Sequence, residues 1–341
     1  MYKEMMEKLL AKIDLTKYEM QSLMEEIMSG NLTDVQVAGI LTALRAKGET
    51  KEEIAGCAFI MRDKASKVQV DDEDAIDTCG TGGDGKHTFN VSTVSAIIAA
   101  AAGVTVVKHG NRSVSSKCGS ADILSDLGIK IDLEPDRAKE CLDEAGIAFL
   151  FAPKYHPAMK YVMNARRELG IRTIFNILGP LANPGMVKNQ ILGVFDESLT
   201  EAMAEVLKEL GLNRALVIHG MDGLDEISMS DETKVSELKD GKISTYFIKP
   251  EDFGMMRGRI DDIKGGTPEE NASTLMEVLE GKNISVRDIV ILNSAAAIYM
   301  GGRANSISHG IEIAKEIIDS GAGLKKLEEF KTVSNKIASQ A

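Results

Sequence analysis

The hydrophobic pattern of this chain changes once, at the acidic run Asp71-Asp72-Glu73-Asp74, and that change limits the folds open to it. Before the run the pattern is helical only. Thr16…Glu19, Thr33…Gln36 and Thr50…Glu53 are capping boxes, in which a hydroxyl accepts from a helix N–H and the N3 side chain reaches back. Apolar residues then recur at helical spacing: Leu23 and Ile27; Val37, Ile40, Leu41 and Leu44; Ile54, Ala58 and Met61. Gly30 and Gly48 stand where the first two runs should stop. Beyond the run, which reads as a solvated linker, short apolar stretches alternate with helical ones. Ala75–Thr78 precedes a helix near Asn90–Ala102, and Val104–Lys108 precedes Ala121–Leu127. Ile129–Leu133 precedes Asp136–Ala145, Ile147–Phe151 precedes a helix near Ala158–Leu169, and Gln190–Val194 precedes Leu199–Leu210. Ala215–His219 reads as a strand ending in a loop, Ser228–Ile248 as antiparallel strands, and Thr267–Ser320 as helix again. The expected class is α/β: a small N-terminal all-helical domain, then a larger domain with a mostly parallel sheet covered by helices.

Bulk properties narrow the function. A length of 341 residues allows one or two domains. The net charge of -12 argues against broad nucleic-acid binding, which depends on Lys and Arg at phosphates. Tryptophan is absent and aromatics make up 4%, so base-stacking platforms are not expected. Met1–Leu10 is charged and amphipathic, unlike a secretory signal. The longest apolar run, Val94–Val107, is shorter than the ~20 residues a membrane helix needs. Cys57, Cys79, Cys118 and Cys141 show no C-x-x-C spacing and read as free cytosolic thiols.

Three loops after strands carry the chemistry, and in open parallel sheets ligands bind at that end. Gly80-Thr81-Gly82-Gly83-Asp84-Gly85 can wrap an anion in backbone N–H groups, or be a plain glycine turn. It matches neither a Walker A loop nor G-x-G-x-x-G. Asn90-Val91-Ser92-Thr93 opens a helix, where N–H groups and the dipole favour phosphate. Lys108-His109-Gly110-Asn111-Arg112-Ser113 supplies two cations, and Ser115, Ser116 and Ser120 extend the donor set. Asp225-Glu226 offers hard oxygens for Mg²⁺, or is a solvated acidic turn. Of Arg166 and Arg167, one can hold a carboxylate bidentately, or both lie on the surface. The combined reading is a site for a small ligand with several phosphates.

Taken in order, CGTGGDG (Cys79–Gly85), TFNVST (Thr88–Thr93), KHGNRSVSS (Lys108–Ser116), GSAD (Gly119–Asp122), FAPKYHPAM (Phe151–Met159), RRELGIRTIFNILGPLAN (Arg166–Asn183) and HGMDGLDEIS (His219–Ser228) resemble the anthranilate phosphoribosyltransferase family. Asn271-Ala272 and Arg287-Asp288 to Gly301 fit as well, so the resemblance spans nearly the whole chain. It implies the nucleoside phosphorylase/phosphoribosyltransferase type of fold, as a homodimer in the cytoplasm with small-molecule substrates, and no nucleic-acid or membrane partner. Residues 1–70, joined by helices near 157–185, would form the helical domain. Residues 71–156 and 186–341 would form the α/β domain, with the active site at the hinge. The implied reaction joins anthranilate to phosphoribosyl pyrophosphate in tryptophan biosynthesis, with Mg²⁺.

The implied roles follow the matching motifs. Gly80, Gly83, Asp84, Thr88, Asn90, Val91, Ser92 and Thr93 would hold phosphoribosyl pyrophosphate, together with Lys108, Asn111, Arg112, Ser113, Ser115, Ser116 and Ser120. Gly80, His109, Asn111 and Arg166 would contact anthranilate. Ser92, Asp225 and Glu226 would bind the metal. On chemical grounds, and not from the motifs, Lys108 would stabilise charge on the leaving group and His109 is the nearest candidate base for the amine proton. The resemblance departs at Asn293-Ser294, where the family often has Asn-Ala; these residues are expected outside the site. Pyrimidine nucleoside phosphorylases share the fold type, but their Lys-His-Ser-Thr-Gly-Gly loop is missing here. A non-catalytic nucleic-acid-binding relative should be basic and lack the acidic pair.

Overall fold

The protein is described from a computed structural model, which covers residues 1–340 except Asp84, His87 and 114–116. Four helices open the chain: α1 (Tyr2–Leu10), α2 (Lys17–Met28), α3 (Asp34–Lys47) and α4 (Lys51–Asp63). All three expected capping boxes form, at Thr16, Thr33 and Thr50. Each satisfies helix donors that would otherwise be orphaned, so the helix starts are set locally.

The α/β part follows as β1 (Ile76–Gly80), α5 (Val91–Ala101), β2 (Val106–Gly110), α6 (Ser120–Asp126), α7 (Pro135–Ala145) and β3 (Ile147–Phe151). Three further helices, α8 (Ala152–Tyr155), α9 (Lys160–Leu169) and α10 (Phe175–Leu181), lead to β4 (Asn189–Gly193), α11 (Leu199–Glu209) and β5 (Arg214–Gly220). A hairpin, β6 (Thr233–Lys239) and β7 (Lys242–Ile248), precedes α12 (Pro268–Leu279), α13 (Arg287–Met300), α14 (Ile307–Asp319) and α15 (Ala322–Ala338).

The strands of the described residues make one sheet in the order β3-β2-β1-β4-β5-β6-β7. β1 to β5 are mutually parallel, and β6 and β7 are antiparallel. The chain runs outward from β1 through β2 to β3, then returns to β4 on the other side of β1. This reversal opens a crevice at the C-terminal ends of β1 and β4, where ligands of such sheets bind.

Alternation along the strands divides the core. Ile191, Leu216 and Ile218 pack with α5 and α13 on one face. Leu192, Val194, Ala215 and Val217 pack on the other, in a cluster that also holds residues of α2, α3 and α4. Val162, Ala165, Phe175 and Leu178 belong to that second cluster, so α9 and α10 pack with the N-terminal helices although they follow β3 in the chain.

One expected strand does not form. Ile129, Ile131 and Leu133 are buried and alternate with exposed Lys130 and Asp132, the period of a half-buried strand. The segment is extended but pairs with side chains instead of a neighbouring strand. Lys130 N donates to Ser334 Oγ at 3.2 Å, and Leu133 O accepts from the Tyr155 hydroxyl at 2.8 Å. The last helix, α15, lies beyond the region read as helical. Among the described residues no helix is long and apolar enough to cross a membrane.

Candidate active site

β1, β2 and β5 each end on a glycine, and the three chemically rich loops leave the sheet from these ends. Gly82, Gly83 and Gly85 take positive φ angles of 62°, 74° and 72°, which a Cβ would strain. Gly82 N donates to Asp225 Oδ2 at 2.8 Å. The Arg172 guanidinium donates to the Gly83 carbonyl and lies 4.6 Å from the centre of the Phe195 ring. Asp84, read as part of this loop's site, lies outside the described residues.

α5 begins where expected, with Asn90 as its N-cap. The Asn90 side chain does not cap the helix. Its Nδ2 donates to Cys118 O at 3.2 Å and its Oδ1 accepts from Asn271 at 3.0 Å, tying the helix start to the loop after β2 and to α12. Ser92 N donates to Glu226 Oε1 at 3.0 Å. Val91 and Thr93 are buried, and Thr93 Oγ1 has no hydrogen-bond partner among the described residues. Thr88 forms an isolated antiparallel bridge with Lys264.

Lys108 is 3% exposed at the end of β2. Its ammonium donates to the Thr78 carbonyl and, at 3.3 Å, to Ser92 Oγ, so it sits under the first turn of α5. Fully buried Asp77 on β1 accepts from His109 N at 3.2 Å. Burial lowers the Lys108 pKa, with Asp77 opposing. Burial raises the Asp77 carboxyl to about 6, against the pull of Lys108. The His109 ring packs 5.1 Å from that of His156, tilted by 57°. Burial, and then the neighbouring His156, pushes His109 down to about 3; burial pushes His156 to about 4.

The histidine pair has a consequence for acid stability. An unfolded histidine takes up its proton near pH 6.5, whereas these two resist it until about 3 and about 4. Their contribution is complete above pH 6.5 and is lost as pH falls, by about 1.4 kcal/mol per unit for each. Asp77 runs the other way between about 6 and 3.8, because its folded form holds a proton that the unfolded form has released. The net expectation is a loss of about 2 kcal/mol between pH 7 and 5. Urea unfolding at both values measures it, and His156→Asn should flatten the slope. A wild-type slope of zero would contradict the assignment.

Asp122 in the first turn of α6 holds the described ends of the loop after β2. Asp122 accepts from Ser113 N at 3.0 Å, Gly119 N at 2.9 Å and the Arg112 guanidinium at 2.8 Å. Asn111 is exposed, and its carbonyl accepts from Ser120 Oγ at 3.4 Å. Ser115 and Ser116 lie outside the described residues. Arg166 on α9 is half-buried, 5.3 Å from the centre of the Phe175 ring, and burial lowers its pKa. Arg167 is exposed and bonded to Asn164.

The β5 loop is knitted before it reaches Asp225. Asp222 accepts from Ser228 Oγ at 2.6 Å and from the Ser230 hydroxyl. The Asn293 amide on α13 accepts from Ile227 N and donates to Ile227 O, both at 2.9 Å. Asn293 was expected outside the site; it clamps the residue after Glu226. Among the described residues no cluster of three or more His, Cys, Asp or Glu could hold a metal. The two carboxylates, each bonded to a phosphate-type loop, still fit Mg²⁺, which takes one or two carboxylates and completes its shell with water and substrate oxygens.

Sequence reasoning missed Arg172 and gave Asp122 no role of its own. Each was visible only as a charged residue beside a glycine loop.

The helical bundle domain of the Glycosyl transferase family matches residues 3–65, and its a/b domain matches 72–324. An anthranilate phosphoribosyltransferase of Alkaliphilus metalliredigens is 54% identical over 99% of both chains. The crystal structure of anthranilate phosphoribosyltransferase from Thermus thermophilus superposes with a TM-score of 0.92 at 40% identity, covering 97% of this chain and 99% of that one. The Saccharomyces cerevisiae enzyme in complex with PRPP and Mg gives 0.90 at 29% identity over 98% of both. The chain therefore belongs to the anthranilate phosphoribosyltransferases, enzymes of the Glycosyl transferase family.

Proposed function

We propose that the chain transfers the phosphoribosyl group of phosphoribosyl pyrophosphate to the amine of anthranilate, releasing pyrophosphate, in tryptophan biosynthesis. The observation that carries this reading is the meeting of three loops at the β1/β4 reversal: the Gly82 and Ser92 N–H groups bind Asp225 and Glu226, with Lys108 beneath. The yeast relative's complex with PRPP and Mg supports it.

Gly80–Gly85, with Asp84, and Thr88–Thr93 would cradle the phosphates. Lys108, Asn111, Arg112, Ser113, Ser115, Ser116 and Ser120 would bind the diphosphate end, and Asp225, Glu226 and Ser92 would hold Mg²⁺. Bound Mg²⁺ would offset charge building on the departing diphosphate. The C1–O bond to that group breaks as the anthranilate nitrogen approaches, through a transition state with oxocarbenium character. Lys108 keeps Ser92 and the α5 N-terminus aimed at the leaving group. Gly80, His109, Asn111 and Arg166 would orient the acceptor, with Arg166 on its carboxylate. Orientation of two substrates can be worth up to ~7–11 kcal/mol.

His109 would take the amine proton. An aryl ammonium is strongly acidic, so a base of pKa about 3 suffices. His109 Nε2 has no partner among the described residues. We further infer that the helical unit, residues 1–70 with helices near 157–185, moves against 71–156 and 186–341 about a hinge at the site. The packing of α9 and α10 on α2–α4 supports counting them with the helical unit, although the same cluster also takes in Leu192 of β4 and Val217 of β5. A cytoplasmic homodimer completes the reading.

Anthranilate fluorescence should decay when phosphoribosyl pyrophosphate and Mg²⁺ are supplied, and a stable signal would refute the proposal. Arg166→Ala should raise the anthranilate KM by about 10–100-fold, the worth of a charged hydrogen-bond pair, with kcat little changed. An unaltered KM would take Arg166 out of the acceptor site.

A further inference from the structure

Gly80 and Gly193 are register partners at the C-terminal ends of adjacent parallel strands β1 and β4. Partners in a parallel pair point to the same face. Neither has a positive φ, so their backbone conformations do not call for glycine. Close approach does. A Cβ at Gly80 would stand 2.3 Å from Asp225 Oδ2. A Cβ at Gly193 would stand 1.7 Å from Asp225 O and 2.5 Å from its carbonyl carbon. Asp225 thus rests on the strand pair where two side chains are missing. Thr81 N donates to Gly193 O at 2.9 Å and Gly82 N to Asp225 Oδ2 at 2.8 Å, so the first loop is registered on the same seat.

We propose that Gly193, paired with Gly80, is a positioning residue that seats Asp225 for the metal–diphosphate complex. The inference rests on the proposed metal role of Asp225. At Gly80 the obstructing atom is the end of a side chain, which can rotate. At Gly193 it is backbone, so a methyl group must lift the chain at Asp225 and carry the neighbouring Glu226 with it. The displaced carboxylates would lose their bonds to Gly82 N and Ser92 N. Metal binding should suffer more than the fold, because Asp225 and Glu226 are half-buried in the loop beyond the end of β5, while the ladder of β1, β4 and β5 below it stays paired.

The test compares Mg²⁺ affinity by calorimetry with phosphoribosyl pyrophosphate present, in wild type, Gly193→Ala, Asp225→Asn and Gly310→Ala. Gly310 on α14 is a control for packing alone: its Cβ would lie 2.4 Å from Ala295 O on α13. Gly193→Ala should weaken Mg²⁺ binding at least tenfold, and excess Mg²⁺ should restore most of its turnover. Gly310→Ala should lower the unfolding midpoint and leave Mg²⁺ affinity within twofold. Wild-type affinity in Gly193→Ala, with loss in Asp225→Asn, would overturn this inference alone. Wild-type affinity in Asp225→Asn would remove the metal role and the inference with it. Should Gly193→Ala fail to fold, Gly80→Ala takes its place, with the same direction expected; unchanged Mg²⁺ affinity there would equally overturn the seat.

Discussion

Asp225→Asn and Glu226→Gln are each expected to lower kcat/KM by about 10²–10³-fold, the usual worth of one group that stabilises a leaving anion. Both amides keep an oxygen that can accept from Gly82 N or Ser92 N, so the loop contacts survive. What disappears is negative charge. The unfolding free energy should therefore stay within about 1 kcal/mol of wild type, while the Mg²⁺ concentration for half-maximal rate rises. Steady-state rates over a range of Mg²⁺ at saturating substrates separate the two effects. Variants that keep both the wild-type rate and the wild-type Mg²⁺ dependence would remove the carboxylates from the metal site.

Lys108→Met should reduce both activity and stability, for separable reasons. The ammonium is the charge that faces buried Asp77 and holds the Thr78 carbonyl and Ser92 hydroxyl. Removing one partner of a buried pair usually costs about 3–5 kcal/mol. Here protonation of Asp77 limits the loss. Keeping a carboxyl of ordinary pKa 3.8 neutral at pH 7 costs about 4 kcal/mol at 1.36 kcal/mol per unit. Adding Asp77→Asn should return most of the stability, by urea unfolding, and leave activity at least 10²-fold down, because Ser92 still lacks its donor. Recovery of activity along with stability would mean that Lys108 acts only on the fold.

The helix starts were legible because capping is local. Thr16, Thr33 and Thr50 meet their partners three residues away whatever the rest of the chain does. Short apolar stretches exposed β4 and β5, and the same signal failed at Ile129–Leu133. Alternating burial shows that a segment is extended against a core, and says nothing of whether another strand lies alongside. α15 escaped because its start, Gly321 with positive φ, offers no side-chain cap to read.

The candidate site divides in the same way. Gly80–Gly85, Asn90–Thr93, Lys108–Ser116 and Asp225-Glu226 could be picked out in one dimension, since phosphate binding needs glycine, hydroxyl and cation types close together in the chain. Their chemistry was set by composition and spacing alone. Tertiary structure decided which group touches which. The reversal of the sheet at β1 and β4 brings Asp225, 143 positions away, onto Gly82 N, and Glu226 onto Ser92 N. It also makes Gly193 the space into which the backbone of Asp225 fits, and draws Asn293 onto Ile227. Such contacts depend on strand order and register, and these are settled by burial of the whole core.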